Sequence, residues 1–173
     1  MAEYWLMAEN LVYFIRHGIA AERGTYPRDA DRPLVPHGIE RTHRVAQRLK
    51  SLNIHCALAL TSPLVRAQQT AAILQTVGVA EHIEVFEPLS PEGNIQLWLS
   101  WLSHWQQQTT MGHALAVVGH QPDLTLWAQQ LIGAAGSHWQ LKKAGIIGLQ
   151  VPAADEALGR SLLFWLTPPR LLL

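Results

Sequence analysis

The chain has 173 residues, with 13 Lys plus Arg against 13 Asp plus Glu, so it carries no formal net charge at pH 7. That length buries one substantial core and is too short for two, so 1–173 reads as a single domain with 1–10 as an N-terminal extension. A balanced chain has no global field to recruit nucleic acid or an anionic membrane, no window is long and apolar enough for a membrane span, and Met1 to Asn10 lacks a signal-peptide pattern. Neither nucleic acid nor membrane is an expected partner, and a cytoplasmic location is expected.

In chain order, Leu11-Val12-Tyr13-Phe14-Ile15 is a short β-branched and aromatic run that fits a strand buried on both faces, and it stops at Arg16-His17-Gly18. A polar loop, 19–36, leads to a helix from about Gly38 to Leu52, with Ile39, Val45, Ala46, Leu49 and Leu52 at near-helical spacing. Cys56 to Leu60 is a second strand. The block Thr61-Ser62-Pro63-Leu64-Val65-Arg66 reads as the turn and first helical turn after it, with Ser62 as N-cap and Pro63 at the first helical position, the helix running to about Gly78. Ile83 to Phe86 is a short strand. Gly93 to Gln108 is a helix with Leu97, Trp98, Trp101, Leu102 and Trp105 on one side, a stripe read as core. Ala114 to Val118 repeats the first design, a buried strand stopping at Gly119-His120-Gln121-Pro122. A helix from Pro122 to about Leu131 and two closing strands, Ile146 to Val151 and Leu162 to Leu166, complete the chain. The alternation predicts a three-layer α/β/α domain whose mainly parallel sheet has an antiparallel edge.

Open α/β sheets bind ligands at the carboxyl ends of their strands. His17 and His120 would both be delivered there, with Arg16 beside the first and Arg66 in the first turn of a helix whose free N–H groups attract anions. Two arginines and two histidines at one sheet edge suit a phosphate. The only cysteine, Cys56, lies inside an apolar run and reads as a small core residue.

Arg16-His17-Gly18, the Ser62 to Thr70 block and Gly119-His120, in that order and over roughly Leu11 to Leu166, resemble the histidine phosphatase superfamily, which includes the phosphoglycerate-mutase-like enzymes. The stretch Asp31-Arg32-Pro33-Leu34 and the short chain resemble, more narrowly, the SixA-type phosphohistidine phosphatases. The resemblance implies a phosphoglycerate-mutase-like fold and a phosphatase with a phosphohistidine intermediate. It implies phosphohistidine on a signalling protein as substrate. It also makes Arg32 a third cation over the site, where the alternative is an exposed loop arginine paired with Asp29 or Asp31. Glu92 lies in the loop where family members place a proton donor, and is otherwise a carboxylate at a helix start.

The side chains support the same chemistry. Phosphoryl transfer to a protein group needs an unprotonated nucleophile and cations around the equatorial oxygens. Neutral imidazole meets the first need, so His17 is assigned as nucleophile, with Gly18 leaving room for close backbone approach. Arg16 and Arg66 would clamp the phosphoryl oxygens in fork geometry, and His120 would donate to them. Water would then regenerate His17 without a cofactor. No Cys pair or paired-histidine helical spacing suggests a metal, and flanking arginines would repel one. His37, His43, His55, His82, His104, His113 and His138 fall in polar or loop contexts and read as solvent-facing. Two other function classes stay open: a phosphatase or mutase acting on a small phosphorylated metabolite, and a non-catalytic phosphate-binding module. The short stretches between His17 and Arg66 and between Gln75 and Ala114 leave no long insertion to enclose a sugar phosphate, which suits a protein-borne phosphate better.

Overall fold

The structure is a computed structural model that describes residues 10–109, 113–134, 136 and 139–173. Tyr4, Trp5 and Leu6 of the N-terminal extension, and His138, lie outside the described residues. Asn10, placed in that extension from sequence, already belongs to the first strand.

Six strands form one sheet: β1 (Asn10–Arg16), β2 (Cys56–Thr61), β3 (Ala80–Val85), β4 (Ala114–Gly119), β5 (Ile146–Val151) and β6 (Leu162–Thr167). Their spatial order is β3-β2-β4-β1-β5-β6. The first four run parallel, β5 is antiparallel to β1, and β6 is antiparallel to β5. The expected mainly parallel sheet with an antiparallel edge is therefore what forms. Helices α1 (Pro36–Ser51) and α2 (Val65–Val77) cover one face, where Val45, Ala46, Leu49, Ala67, Ala71 and Leu74 meet Tyr13, Ile15, Ala59 and Val118. Helices α3 (Ile95–Gln108) and α4 (Asp123–Ile132) cover the other, where Trp98, Leu102, Trp127 and Leu131 meet Val12, Phe14, Leu60 and Val117. Alternation along β1 thus feeds two separate cores, because successive strand residues point to opposite faces.

Phe14, Trp98 and Trp127 knit the second core, with ring centroids 5.5, 5.9 and 6.5 Å apart and tilted or edge-on. Fully burying aromatics of this size contributes on the order of 2–3 kcal/mol each. The tryptophan stripe is core at Trp98 and Trp105, while Trp101 is half-buried and donates from Nε1 to Glu84 Oε1 at 3.0 Å.

Several boundaries differ from the sequence reading, each for a local reason. β3 starts at Ala80, three residues early, because its edge position lets Glu81, His82 and Glu84 face water within a strand. α2 starts at Val65 behind Leu64, not at Pro63 behind Ser62. The Ser62 hydroxyl accepts from the Leu64 N–H at 3.3 Å and serves a histidine instead of a helix end. Ile39, Leu52 and Leu97 are exposed, since helical spacing alone does not say which stripe turns inward. Cys56 is fully buried and burial pushes its thiol up to about 12, as a core residue requires.

Candidate active site

The topology opens a crevice at one point. From β1 the chain leaves to α1 on one face; from the adjacent β4 it leaves to α4 on the other. Connections that diverge from neighbouring parallel strands leave a gap beyond the carboxyl ends. His17 and His120 follow those two strands directly. The last rung of the ladder pairs Arg16 with Gly119, and the His17 N–H donates to the Gly119 carbonyl at 3.1 Å. The two imidazoles stand 5.2 Å apart between ring centroids, both nearly fully buried.

Each ring is oriented by a specific partner. His17 Nδ1 lies 2.7 Å from the Gly18 carbonyl oxygen, which can only accept, so Nδ1 bears the proton and Nε2 keeps the lone pair. Burial first of all, then the charges of His120, Arg66 and Arg16, pushes His17 down to about 3. His120 Nε2 is 2.7 Å from Ser62 Oγ. Ser62 Oγ accepts from the Leu64 N–H and can donate its own proton to His120 Nε2, the arrangement that puts the His120 proton on Nδ1. That Nδ1 is buried and has no partner, a donor held ready for an incoming acceptor. His120 is likewise lowered, to about 4, by burial and then by Arg66.

Gly18 is small for a reason other than substrate approach. An added Cβ would collide with Thr42 Oγ1 of α1, and the Gly18 N–H donates to Thr70 Oγ1 of α2 at 3.0 Å. The residue after the nucleophile candidate is thereby pinned to both helices of one face.

Five cations line the cleft, the exposed loop residue Arg23 among them. Arg16 ends β1; its Nη1 donates to the Leu141 carbonyl at 2.7 Å, and its Nε is buried without a partner. Arg66, in the first turn of α2, is 3 % exposed and grips the loop opposite, donating to the Asp29 backbone oxygen at 2.7 Å and to Asp29 Oδ2 at 2.9 Å. Arg32 is buried as well, and donates to Asp29 Oδ1 at 2.7 Å and to the Ala21 carbonyl. Arg32 is not the exposed loop arginine of the alternative reading: it is buried, paired with Asp29, and lines the cleft. Its position is fixed by the next residues, since the Leu34 N–H donates to Gln69 Oε1 of α2 at 2.7 Å, and Ala20 bridges Leu34.

Lys143 is a further cation, and no sequence signal pointed to it. It lines the same cleft, and its ammonium is lowered by burial and then by Arg16, Arg32 and Arg66. The turn 141–145 presents it. The Gly145 N–H closes on the Lys142 carbonyl at 2.7 Å, and the Ala144 N–H donates to the carbonyls of Arg16 and His17 at 3.0 and 3.2 Å. A Cβ at Gly145 would come within 2.7 Å of the Lys142 oxygen, so only glycine fits there.

These groups surround a cleft of about 470 Å³ whose lining includes Arg16, His17, Arg32, Arg66, His120 and Lys143, with Asp29 and Glu22 as its acids. Glu92 does not line it. Glu92 is exposed in a left-handed conformation at φ 68°, and its N–H is held by Asp123 Oδ2 at 2.9 Å, while the preceding Pro91 reaches the cleft wall. Burial raises Asp123 itself. Among the described residues no group of three His, Cys, Asp or Glu converges as a metal site, and no helix is long and apolar enough to cross a membrane. Among the other histidines, His37, His55, His82, His104 and His113 are exposed; His55 pairs with Glu81 at 2.7 Å.

Two buried imidazoles held neutral among five cations match the requirements of phosphoryl transfer. The model of the histidine phosphatase superfamily, branch 1, matches residues 12–90. Phosphohistidine phosphatase SixA of Escherichia coli is 33% identical over 116 residues, 64% of this chain and 67% of that protein. The chain belongs to the histidine phosphatase superfamily. A second relative, an uncharacterized protein of Picosynechococcus, is 48% identical over 94% of this chain and 98% of its own. Among solved structures, the protein histidine phosphatase SixA complexed with tungstate superposes with a TM-score of 0.81 at 23% identity, over 94% of this chain and 99% of that one. A putative α-ribazole-5′-P phosphatase from Escherichia coli superposes with a TM-score of 0.70 at 20% identity, over 92% and 98%. The fold and the family together make the protein a phosphatase, with SixA-like architecture.

Proposed function

We propose that the protein removes phosphoryl groups through a covalent phosphohistidine at His17, and that its substrate is phosphohistidine on a protein. The observation that supports the first part most is the His17 ring itself: proton on Nδ1, lone pair on Nε2, and protonation suppressed to about 3. In this reading the Nε2 lone pair attacks phosphorus and the bond from phosphorus to the leaving group breaks. Arg16 and Arg66 hold the equatorial oxygens, and His120 Nδ1–H donates to one of them. The Gly18 carbonyl stabilises the positive charge that develops on the ring. A water oxygen then forms the new bond to phosphorus as the Nε2–P bond breaks, its proton stays with the departing inorganic phosphate, and His17 returns neutral.

The substrate reading rests on the similarity to SixA and on the cleft's makeup. A phosphorylated imidazole leaves readily once its own ring is protonated, so it needs no acid from the enzyme, whereas a sugar alkoxide does. Glu92 is absent from the cleft lining, in keeping with a substrate that needs no acid from the enzyme. Glu22 favours the second reading, a small phosphorylated metabolite, because its carboxyl lines the cleft where a leaving alkoxide would need a proton. Side-by-side hydrolysis of a phosphohistidine peptide and a sugar phosphate, by the unmodified enzyme and by Glu22→Gln, tests the choice. Preference for the peptide with little effect of Glu22→Gln upholds the proposal. Efficient sugar phosphate hydrolysis that falls about a hundredfold or more in Glu22→Gln overturns it.

A further inference from the structure

A second and larger recess, of about 760 Å³, opens beside the catalytic cleft and shares a wall with it. Arg16 and Lys143 line both. The recess adds Arg41 from α1, Lys142 from the turn before β5 and Arg170 beyond β6, so among the described residues five cations face it and no carboxylate does. In a chain with equal numbers of acids and bases, this is a strong local imbalance. Arg41 and Arg16 each have a buried Nε without a hydrogen-bond partner. Between the cations the walls are apolar: Ile19, Leu141, Leu166, Pro168 and Pro169.

We propose that this groove takes an acidic segment of the phosphoprotein substrate, with carboxylates on the cations and apolar side chains on the proline and leucine wall, while the phosphorylated side chain enters the catalytic cleft past Arg16. The inference rests on the phosphohistidine reading above. The groove is far larger than one phosphate and its walls alternate in character, which suits a peptide better than a second phosphoryl group. Among the described residues no Phe, Tyr, Trp or His lines it, and so none of them offers the stacking surface that binds single-stranded nucleic acid. Opposite charge across an interface fixes register and speeds encounter, so the groove would choose among phosphoproteins without touching the reacting atoms.

The test uses two phosphohistidine peptides of equal length, one flanked by Asp and Glu and one by Gln and Ser, with phosphoramidate as a substrate too small to reach the groove. The enzyme should prefer the acidic peptide by about tenfold in kcat/KM, through KM, and the preference should shrink at high ionic strength. Arg41→Glu with Arg170→Glu should erase the preference and keep phosphoramidate turnover within about twofold, the latter also showing that the variant folds. Lys142→Glu, at an exposed turn, provides an independent variant. Binding of the unphosphorylated acidic peptide, followed by fluorescence anisotropy, reads the groove without any chemistry. Equal turnover of both peptides, or acidic-peptide binding that the charge reversals leave intact, would overturn the proposal. If the acidic peptide binds and loses binding in the variants but neither phosphohistidine peptide is hydrolysed, the groove stands as a docking site and the phosphohistidine substrate reading fails.

Discussion

The two walls of the catalytic cleft are built by different means. On the sheet wall, His17, His120 and Ser62 follow three adjacent parallel strands, and backbone bonds from His17 to Gly119 and from Ser62 to Val118 continue the ladder past its ends. On the loop wall, residues 22–30 are all exposed, and the segment is fastened at its base by the Ala20–Leu34 bridge and across the cleft by ion pairs of Asp29 with Arg32 and Arg66. The sheet wall fixes geometry through obligatory backbone bonds; the loop wall is held by charges that a phosphate can outbid. The difference separates the groups that need fixed positions from those that need to exchange partners.

Removing the nucleophile candidate breaks the sheet wall most severely. His17→Ala should abolish turnover while vanadate still binds through Arg16 and Arg66, as steady-state kinetics and titration would show; near-normal turnover would remove His17 from the chemistry. Arg66→Lys tests the residue that spans both walls. Keeping the charge but losing the fork should cost about 2–4 kcal/mol of transition-state stabilisation, read from kcat/KM.

Proton linkage tests burial of the two rings. Above about pH 6.5 the rings are neutral whether folded or not, and full stability is present. As pH falls, the unfolded chain takes up protons that folded His17 and His120 refuse until about 3 and 4. Stability should therefore drop by about 2 kcal/mol per histidine between about pH 6.5 and pH 5, and urea titrations of His120→Gln should show a shallower slope.

Ser62→Ala should lower kcat about tenfold with little change in KM, because His120 loses the partner that sets its tautomer. A flattened response at His120→Gln, Ser62→Ala together would tie the effect to that ring. The smallest effect belongs to the loop wall. Asp29→Asn removes the carboxylate that Arg32 and Arg66 share, so inorganic phosphate should bind a few-fold tighter, measurable as a lower inhibition constant. Weaker binding would mean that Asp29 positions the arginines more than it competes for them.

What the sequence disclosed follows the same division. His17 and His120 were legible because a short apolar run that stops at a polar residue marks a strand end, and strand ends of a parallel sheet converge; Arg66 was legible as a first-turn residue of the helix that follows such a strand. Lys143 was not, since it reaches the cleft through a turn more than a hundred residues from Arg16, in a stretch whose only local feature is two lysines before Ala144 and Gly145. Ser62 was placed at the right spot with the wrong partner: a hydroxyl before a helix usually caps it, and here the buried imidazole of His120 claims it. Glu92 is exposed, its N–H held by Asp123 Oδ2 in a left-handed turn, a placement that no local sequence signal announces.

The rung that pairs Arg16 with Gly119 has a thermal consequence. The spacing of the two imidazoles is one strand spacing, held by the two central strands of the sheet, so no partial melting of loops or helix ends separates them. Heat inactivation and loss of the near-ultraviolet signal of Trp98 and Trp127, which pack under the same two strands, should share one midpoint. The exposed loop can loosen well below that temperature, and its loosening would appear as a rising KM in an enzyme whose kcat continues to climb.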